Sequence, residues 1–143
     1  MVTAVARWLL GALLIWAGAL KIGHPVDLAS AIAGFRLLPP ELAAPLAVIL
    51  PYFEVLLGVY LLVGLFTRIA AWVAAAQFLV YAAAIASAVV RGIPANCGCF
   101  GPGDAAVADW PHVAFDLALA AVATIIALRA PGAFALDRRL RPR

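Results

Sequence analysis

Four long apolar runs, separated by short polar breaks, set the pattern of this chain. A helix needs about 20 apolar residues to cross about 30 Å of hydrocarbon, and each run is close to that length. The first extends from about Thr3 to Ile22, with Trp8–Leu20 free of charge and Arg7 and Lys21 at its edges. Both cations can snorkel toward a headgroup layer. The second, Leu42 to Phe66, contains Glu54 as its one ionisable residue and carries Pro45 and Pro51 in its first turns. Those prolines are expected to bend the entry without breaking it, because neighbouring helices can satisfy the freed carbonyls. Thr67-Arg68 reads as a very short turn. The third run, Ile69 to Val90, is uncharged and rich in alanine, so its backbone can approach its neighbours closely. The fourth starts at Trp110, with Asp109 as N-cap and Pro111 in the first turn, and continues to about Leu128. The expected spans are 3–22, 42–66, 69–90 and 111–128.

Between the first two runs, Leu28, Ile32 and Phe35 recur at helical spacing, with Asp27, Ser30 and Arg36 on the polar side. The segment reads as a short amphipathic helix lying in the interface, with an irregular loop as the alternative. A second alternative concerns the first run: Arg7 resembles an n-region charge, and Ala17-Gly18-Ala19 fits the small-residue pattern of signal-peptide cleavage. An intact span is preferred, since cleavage would strand the two chain ends on opposite sides of the membrane, against the charge pattern below.

Composition supports this reading. The 143 residues are 67% hydrophobic and 12% charged, whereas soluble domains carry about 25% charged residues. A single all-α domain over 1–143, a four-helix transmembrane bundle, is therefore expected, and a soluble enzyme is excluded. The net charge of +3 arises from Arg138, Arg139, Arg141 and Arg143 in a tail from 129 to 143. A basic tail beside a bilayer calls for no nucleic acid. With four spans, Arg7, Arg68, Arg129 and those four arginines share one side, while Lys21, Arg36 and Arg91 share the other. Positive residues remain in the cytoplasm, so both termini are expected there. The loop holding Cys97 and Cys99 then faces outward, into a compartment that permits disulfides.

These are the only two cysteines, and they lie in Asn96-Cys97-Gly98-Cys99-Phe100-Gly101. Cα atoms two positions apart are separated by roughly 5 to 7 Å, which overlaps the disulfide window of about 4.4–6.8 Å. Such a ring closes almost no chain and adds little stability through loop entropy. A strained, exposed bond of this type is expected to exchange. Redox exchange is thus the leading reading. Metal ligation by Cys97, Cys99, His24 and His112 is an alternative, although its spacing is not that of a common zinc module. Incidental structural cysteines are a third reading. His112, near the start of the fourth helix, could also help the helix dipole to stabilise a thiolate.

Charge inside a bilayer costs at least a few kcal/mol unless paired, so Lys21, Glu54 and Asp116 are expected to face the bundle interior. A network centred on Lys21 can either fix helix packing or support the cysteine loop with charge and protons. Gln77 reads as an interhelical hydrogen-bonding residue.

Through these residues the chain resembles the MauE branch of the DoxX-like membrane proteins, small four-helix proteins of bacterial envelopes. The likeness rests on Arg7, Gly11, Gly18 and Lys21 in the first helix, Pro51, Glu54 and Gly58 in the second, and Cys97-Gly98-Cys99-Phe100-Gly101 before the fourth. The resemblance implies a bacterial inner-membrane protein involved in disulfide formation, with a thioredoxin-like envelope partner and the lipid bilayer around it. The bundle is also similar to that of vitamin K epoxide reductases, which pass electrons from a cysteine pair to a quinone. This chain carries one pair only and lacks a second shuttle pair, so a relay needs another protein. A quinone is the one cofactor this second likeness brings in. The expected function is thiol-disulfide exchange by Cys97 and Cys99, supported by His112, Lys21, Glu54 and Asp116. A non-catalytic scaffold for an envelope complex is the alternative from another class.

Overall fold

A computed structural model describes residues 1–98, 101 and 106–140, so Cys99 and Phe100 of the cysteine motif lie outside the described residues. The architecture is all-α. Four long helices, α1 (Val2–Lys21), α3 (Pro40–Val63), α4 (Thr67–Val90) and α5 (Trp110–Arg129), are each long and apolar enough to cross a membrane. Short α2 (Pro25–Gly34) stands between the first two long helices, and α6 (Asp137–Leu140) follows the last. The large apolar side chains that remain exposed, among them Leu9, Ile49, Val80 and Leu128, lie along the long helices, as expected where lipid replaces water.

The bundle is built from two close pairs, α1 with α3 and α4 with α5. The first pair is set by glycine. A Cβ on Gly11 would lie 2.8 Å from the Gly58 carbonyl oxygen, and one on Gly58 would lie 2.6 Å from that of Gly11. Two turns further along α1, a Cβ on Gly18 would meet the Pro51 carbonyl oxygen at 2.7 Å. Side chains at these points would push the backbones apart, so the antiparallel register of α1 on α3 depends on their absence. The same contact explains the small Ala17-Gly18 pair as a packing surface. Alanines do the corresponding work on α4, where Ala71, Ala74 and Ala75 are buried against Ala120, Ala123 and Ile126 of α5 in the main core. α3 continues unbroken through Pro45 and Pro51.

The connection between α3 and α4 differs from that expected. The turn between α3 and α4 is not Thr67-Arg68 but Gly64–Phe66: Gly64 closes α3 in the left-handed conformation (φ 74°), and Thr67 already belongs to α4. The reason is remote in sequence. Asp137 accepts hydrogen bonds from the backbone N–H groups of Phe66 and Thr67, each at 2.8 Å, and so caps the start of α4. The backbone N–H groups of Leu136 and Asp137 donate in turn to the Val63 and Gly64 carbonyls. Residues 130–140 thus fold across this end of the bundle. Arg7 does not snorkel. It is fully buried and donates to the carbonyls of Pro131, Ala133 and Phe134 at 3.2–3.5 Å, clasping that segment to α1.

At the opposite end, α2 turns Leu28, Ala31, Ile32 and Phe35 inward and leaves Asp27, Ser30 and Arg36 exposed, the amphipathic division read from the sequence. Arg91, just beyond α4, donates to the carbonyls of Phe35 and Arg36 and ties α2 to α4.

The close approach of α1 and α3 gives a direct test. Gly58→Leu should destabilise the protein by about 1–3 kcal/mol through overpacking, read as a lower melting temperature in detergent. Gly34→Ala, at a position with open space around it, should leave melting unchanged.

Candidate functional site

The cysteine loop is anchored before it reaches Cys97. Asn96 and Val107 form an isolated antiparallel bridge, with Cys97 N–H donating to Ala106 O at 3.0 Å and Ala108 N–H to Ala95 O at 2.9 Å. The Asn96 side chain accepts from Gly98 N–H at 3.1 Å, a local turn suited to asparagine. Gly98 (φ 61°) and Gly101 (φ 90°) adopt left-handed conformations, and both are close to a helix: a Cβ on Gly98 would lie 3.1 Å from Cβ of Ala31 in α2, and one on Gly101 3.0 Å from the Leu20 carbonyl oxygen in α1. The two glycines therefore let the loop lie down on α1 and α2.

Cys97 is disulfide-bonded and only 8% exposed, packed with Ala82, Ile85, Ala88 and Val113. This corrects the expectation of an exposed bond on the Cys97 side: the antiparallel bridge pulls that residue into the interior. Cys99 lies outside the described residues.

Beneath the loop is a buried polar network. Lys21, at the last turn of α1, donates to both oxygens of Glu54, at 3.0 and 2.8 Å, with the two side chains 5% and 1% exposed. Helical Cα–Cβ bonds tilt toward the N-terminus. In antiparallel α1 and α3 that tilt sends the Lys21 side chain inward and the Glu54 side chain outward, so they meet. Gln77 of α4 donates to Glu54 Oε1 at 3.0 Å and to the Tyr81 hydroxyl at 2.9 Å, the interhelical role expected of it. Tyr81 also donates to Glu54 Oε1, and its ring lies under the Lys21 ammonium at 5.8 Å. Tyr81 was not singled out from the sequence. Its signal was its place one helical turn after Gln77.

Asp116 of α5 faces the same region. It is 6% exposed, and its Oδ2 has no hydrogen-bond partner among the described residues. It lines a cavity of about 30 Å³ shared with Lys21, Glu54 and Tyr81, room for a water molecule. A larger cavity of about 510 Å³ lies on the other side of Lys21 and Tyr81. Its walls are almost wholly apolar, supplied by α2, α3 and α4, and Cys97 and Gly98 form part of them. A third, more polar groove of about 460 Å³ runs between α2 and the loop, past His24, Asp27 and Asn96. Lys21 borders all three.

The histidines have local partners. His112 donates its backbone N–H to Asp109 Oδ1 at 3.0 Å, completing the expected N-cap, and its ring Nδ1 is 2.5 Å from the same oxygen. His24 Nδ1 lies 3.7 Å from Asp27. Hydrogen bonding from the His112 side chain, then from its backbone, holds the Asp109 carboxyl below the usual carboxylate range. A lowered acid stabilises the fold above its unfolded pKa, and that contribution is lost as pH falls through the folded value. Among the described residues no three His, Cys, Asp or Glu side chains gather as a metal site; Cys99, a member of the alternative Cys97, Cys99, His24, His112 set, is not among them.

Four lipid-length helices, a short helix at one end and a buried lysine-carboxylate network under a cysteine loop define a small multi-pass membrane protein. The family model described as methylamine utilisation protein MauE matches residues 1–129, and the chain belongs to that family. It is 36% identical over 134 residues to methylamine utilization protein MauE of Paracoccus denitrificans, covering 93% of this chain and 72% of that protein. The protein of the same description from Methylophilus methylotrophus is 36% identical over 109 residues, 75% of this chain and 57% of its own length. That from Methylorubrum extorquens is 34% identical over 124 residues, with 86% and 67% covered. This chain therefore spans only part of the length of these relatives. No solved structure shows a significant match.

Lys21→Met and Glu54→Gln should each destabilise the bundle by about 3–5 kcal/mol, because each leaves a buried partner unmatched. The double variant should lose clearly less than the sum. A double-mutant cycle of thermal unfolding in detergent measures this coupling, and additive losses would refute it.

Proposed function

We propose that this chain is a membrane thiol-disulfide exchange protein of methylamine utilisation, in which Cys97 and Cys99 exchange disulfides with a thioredoxin-like protein outside the cytoplasm. The chain acts as one membrane unit with both termini inside. The observation that carries the reading is the disulfide-bonded Cys97, held above the Lys21–Glu54–Tyr81 network in a loop that its own glycines seat on α1 and α2. A bond across one intervening residue contributes little through loop entropy, so stapling is a poor reason for its presence. Orientation is supported by the arginines. Arg68, Arg129, Arg138 and Arg139 lie at the end of the bundle that carries the termini, and the loop is at the other.

Burial of Cys97 divides the labour. An incoming thiolate needs in-line access to a sulfur, which a residue 8% exposed does not offer. Cys99 is accordingly assigned as the cysteine that the partner attacks, and Cys97 as the one that leaves as a thiolate. In the exchange, a partner dithiol attacks the Cys97–Cys99 bond, a mixed disulfide forms through Cys99, and a second partner thiolate displaces it. The partner leaves oxidised by two electrons, and Cys97 and Cys99 are left as thiols. His112, Lys21, Glu54 and Asp116 act by charge and proton transfer around the pair. The methylamine connection rests on the names of the relatives.

Cys97→Ser should form a stable mixed disulfide with glutathione disulfide through Cys99, whereas Cys99→Ser should react at least about tenfold more slowly. Mass spectrometry after acid quenching reads both. Equal reactivity would overturn the division of roles, and unreactive thiols in both variants would favour a scaffold. Topology is read with the same variant: a membrane-impermeant maleimide should label Cys97→Ser in whole cells without permeabilisation. Labelling only after permeabilisation would reverse the orientation.

A further inference from the structure

The geometry points to the 510 Å³ cavity as a binding site for a lipid-phase quinone, the two-electron acceptor for the cysteine pair. Three features converge. Its volume falls in the range of small-molecule sites, about 300–1,000 Å³, and its walls are apolar, with Leu38 and Val80 on its border exposed to the lipid-facing exterior. A molecule dissolved in the bilayer can therefore reach it without crossing water. Its polar lining residues are few: Lys21, Tyr81, Ser87 and the disulfide-bonded Cys97.

The charge at the polar end selects the head of the ligand. Lys21 is matched by Glu54 at 2.8 Å, so the site offers no net positive charge to a fatty-acid carboxylate or a phosphate. It does offer a hydrogen bond. An ammonium has three donors, two of which go to Glu54, and the third can meet a neutral carbonyl oxygen. Phe35 and Tyr81 add aromatic surfaces, while Ala31, Ala83 and Ala84 leave space for a flat ring.

Chemistry selects the class. On one side of the cavity is a sulfur that changes by two electrons per pair. On another, Lys21 and Tyr81 form the partition between this cavity and the small one lined by Asp116, which gives a route for protons. An apolar molecule that takes two electrons and two protons on oxygen uses both. The step balances as the Cys97 and Cys99 dithiol plus quinone giving the disulfide plus quinol: the S–S bond forms, and two electrons and two protons pass to the quinone oxygens. The electron step rests on the redox reading of the pair; binding does not.

The test uses the purified full chain in detergent with a short-chain ubiquinone analogue. The analogue should raise the melting temperature in a saturable way. Ala84→Phe, which fills the slot, should weaken that binding by about tenfold or more, with Ala84→Leu as a milder version should the Phe variant fail to fold. Both should retain glutathione exchange at Cys99. Anaerobic mixing of the reduced protein with the analogue should yield one quinol per cysteine pair, followed by absorbance. Stabilisation of the same size by a saturated hydrocarbon of equal length, or binding unaffected by Ala84→Leu and Ala84→Phe, would overturn the site. Saturable binding without quinol would overturn the acceptor role. Loss of glutathione exchange in the parent chain would instead strike the redox reading itself.

Discussion

A lysine and a glutamate that have both left water govern this protein. Neither Lys21 nor Glu54 is stable alone in a low-dielectric bundle, and their separation of 2.8 Å is possible only if α1 and α3 pack in one register. The glycines at 11, 18 and 58 make that register accessible by removing the side chains that would hold the backbones apart. Charge pairing and close packing are thus one constraint: loosening the helices would separate the charges, and losing a charge would remove a reason for the helices to stay in place. Gln77 and Tyr81 extend the constraint to α4 by bonding the same carboxylate.

The two ends of the bundle solve different problems. At the end bearing the termini, the Arg7 guanidinium is spent on carbonyls of the returning chain, and the Asp137 carboxylate caps α4. Most polar groups there satisfy backbone, while Arg7 Nε and Thr67 Oγ1 have no partner among the described residues. At the other end, polar groups remain available: the Asp116 Oδ2 lacks a partner among the described residues, and Lys21 borders three cavities. What sets the loop end apart is that its buried polar groups lie beside cavities. The loop belongs to the second end because two glycines can sit directly on α1 and α2.

That arrangement makes the cysteine loop a boundary layer. Below Cys97 is an apolar cavity; beside it a polar groove passes His24, Asp27 and Asn96. Exchange with a soluble partner requires a polar approach, and exchange with a lipid-phase molecule requires an apolar one. Both lie within reach of the same short loop, while the ion-pair network under it holds charge and protons out of the lipid.

The sequence by itself determined the class of fold, since run length and the scarcity of charge are local properties that permit only helices across a bilayer. It also determined which residues could not be left alone: Lys21, Glu54 and Asp116 in apolar runs had to turn inward, and the N-cap at Asp109 and the hydrogen bond of Gln77 followed from the same reasoning. Pairings between distant segments were not legible. Nothing local about Asp137 marks it as the cap of α4, nothing about Arg7 distinguishes a clasp from a snorkelling cation, and Tyr81 looks like any interfacial tyrosine until α1, α3 and α4 come together. The burial of Cys97 and the apolar cavity beside it also arise only from tertiary packing. They depend on where α2 and the loop lie relative to α4, and the contacts that decide this join residues dozens of positions apart, beyond the reach of any periodicity along the chain.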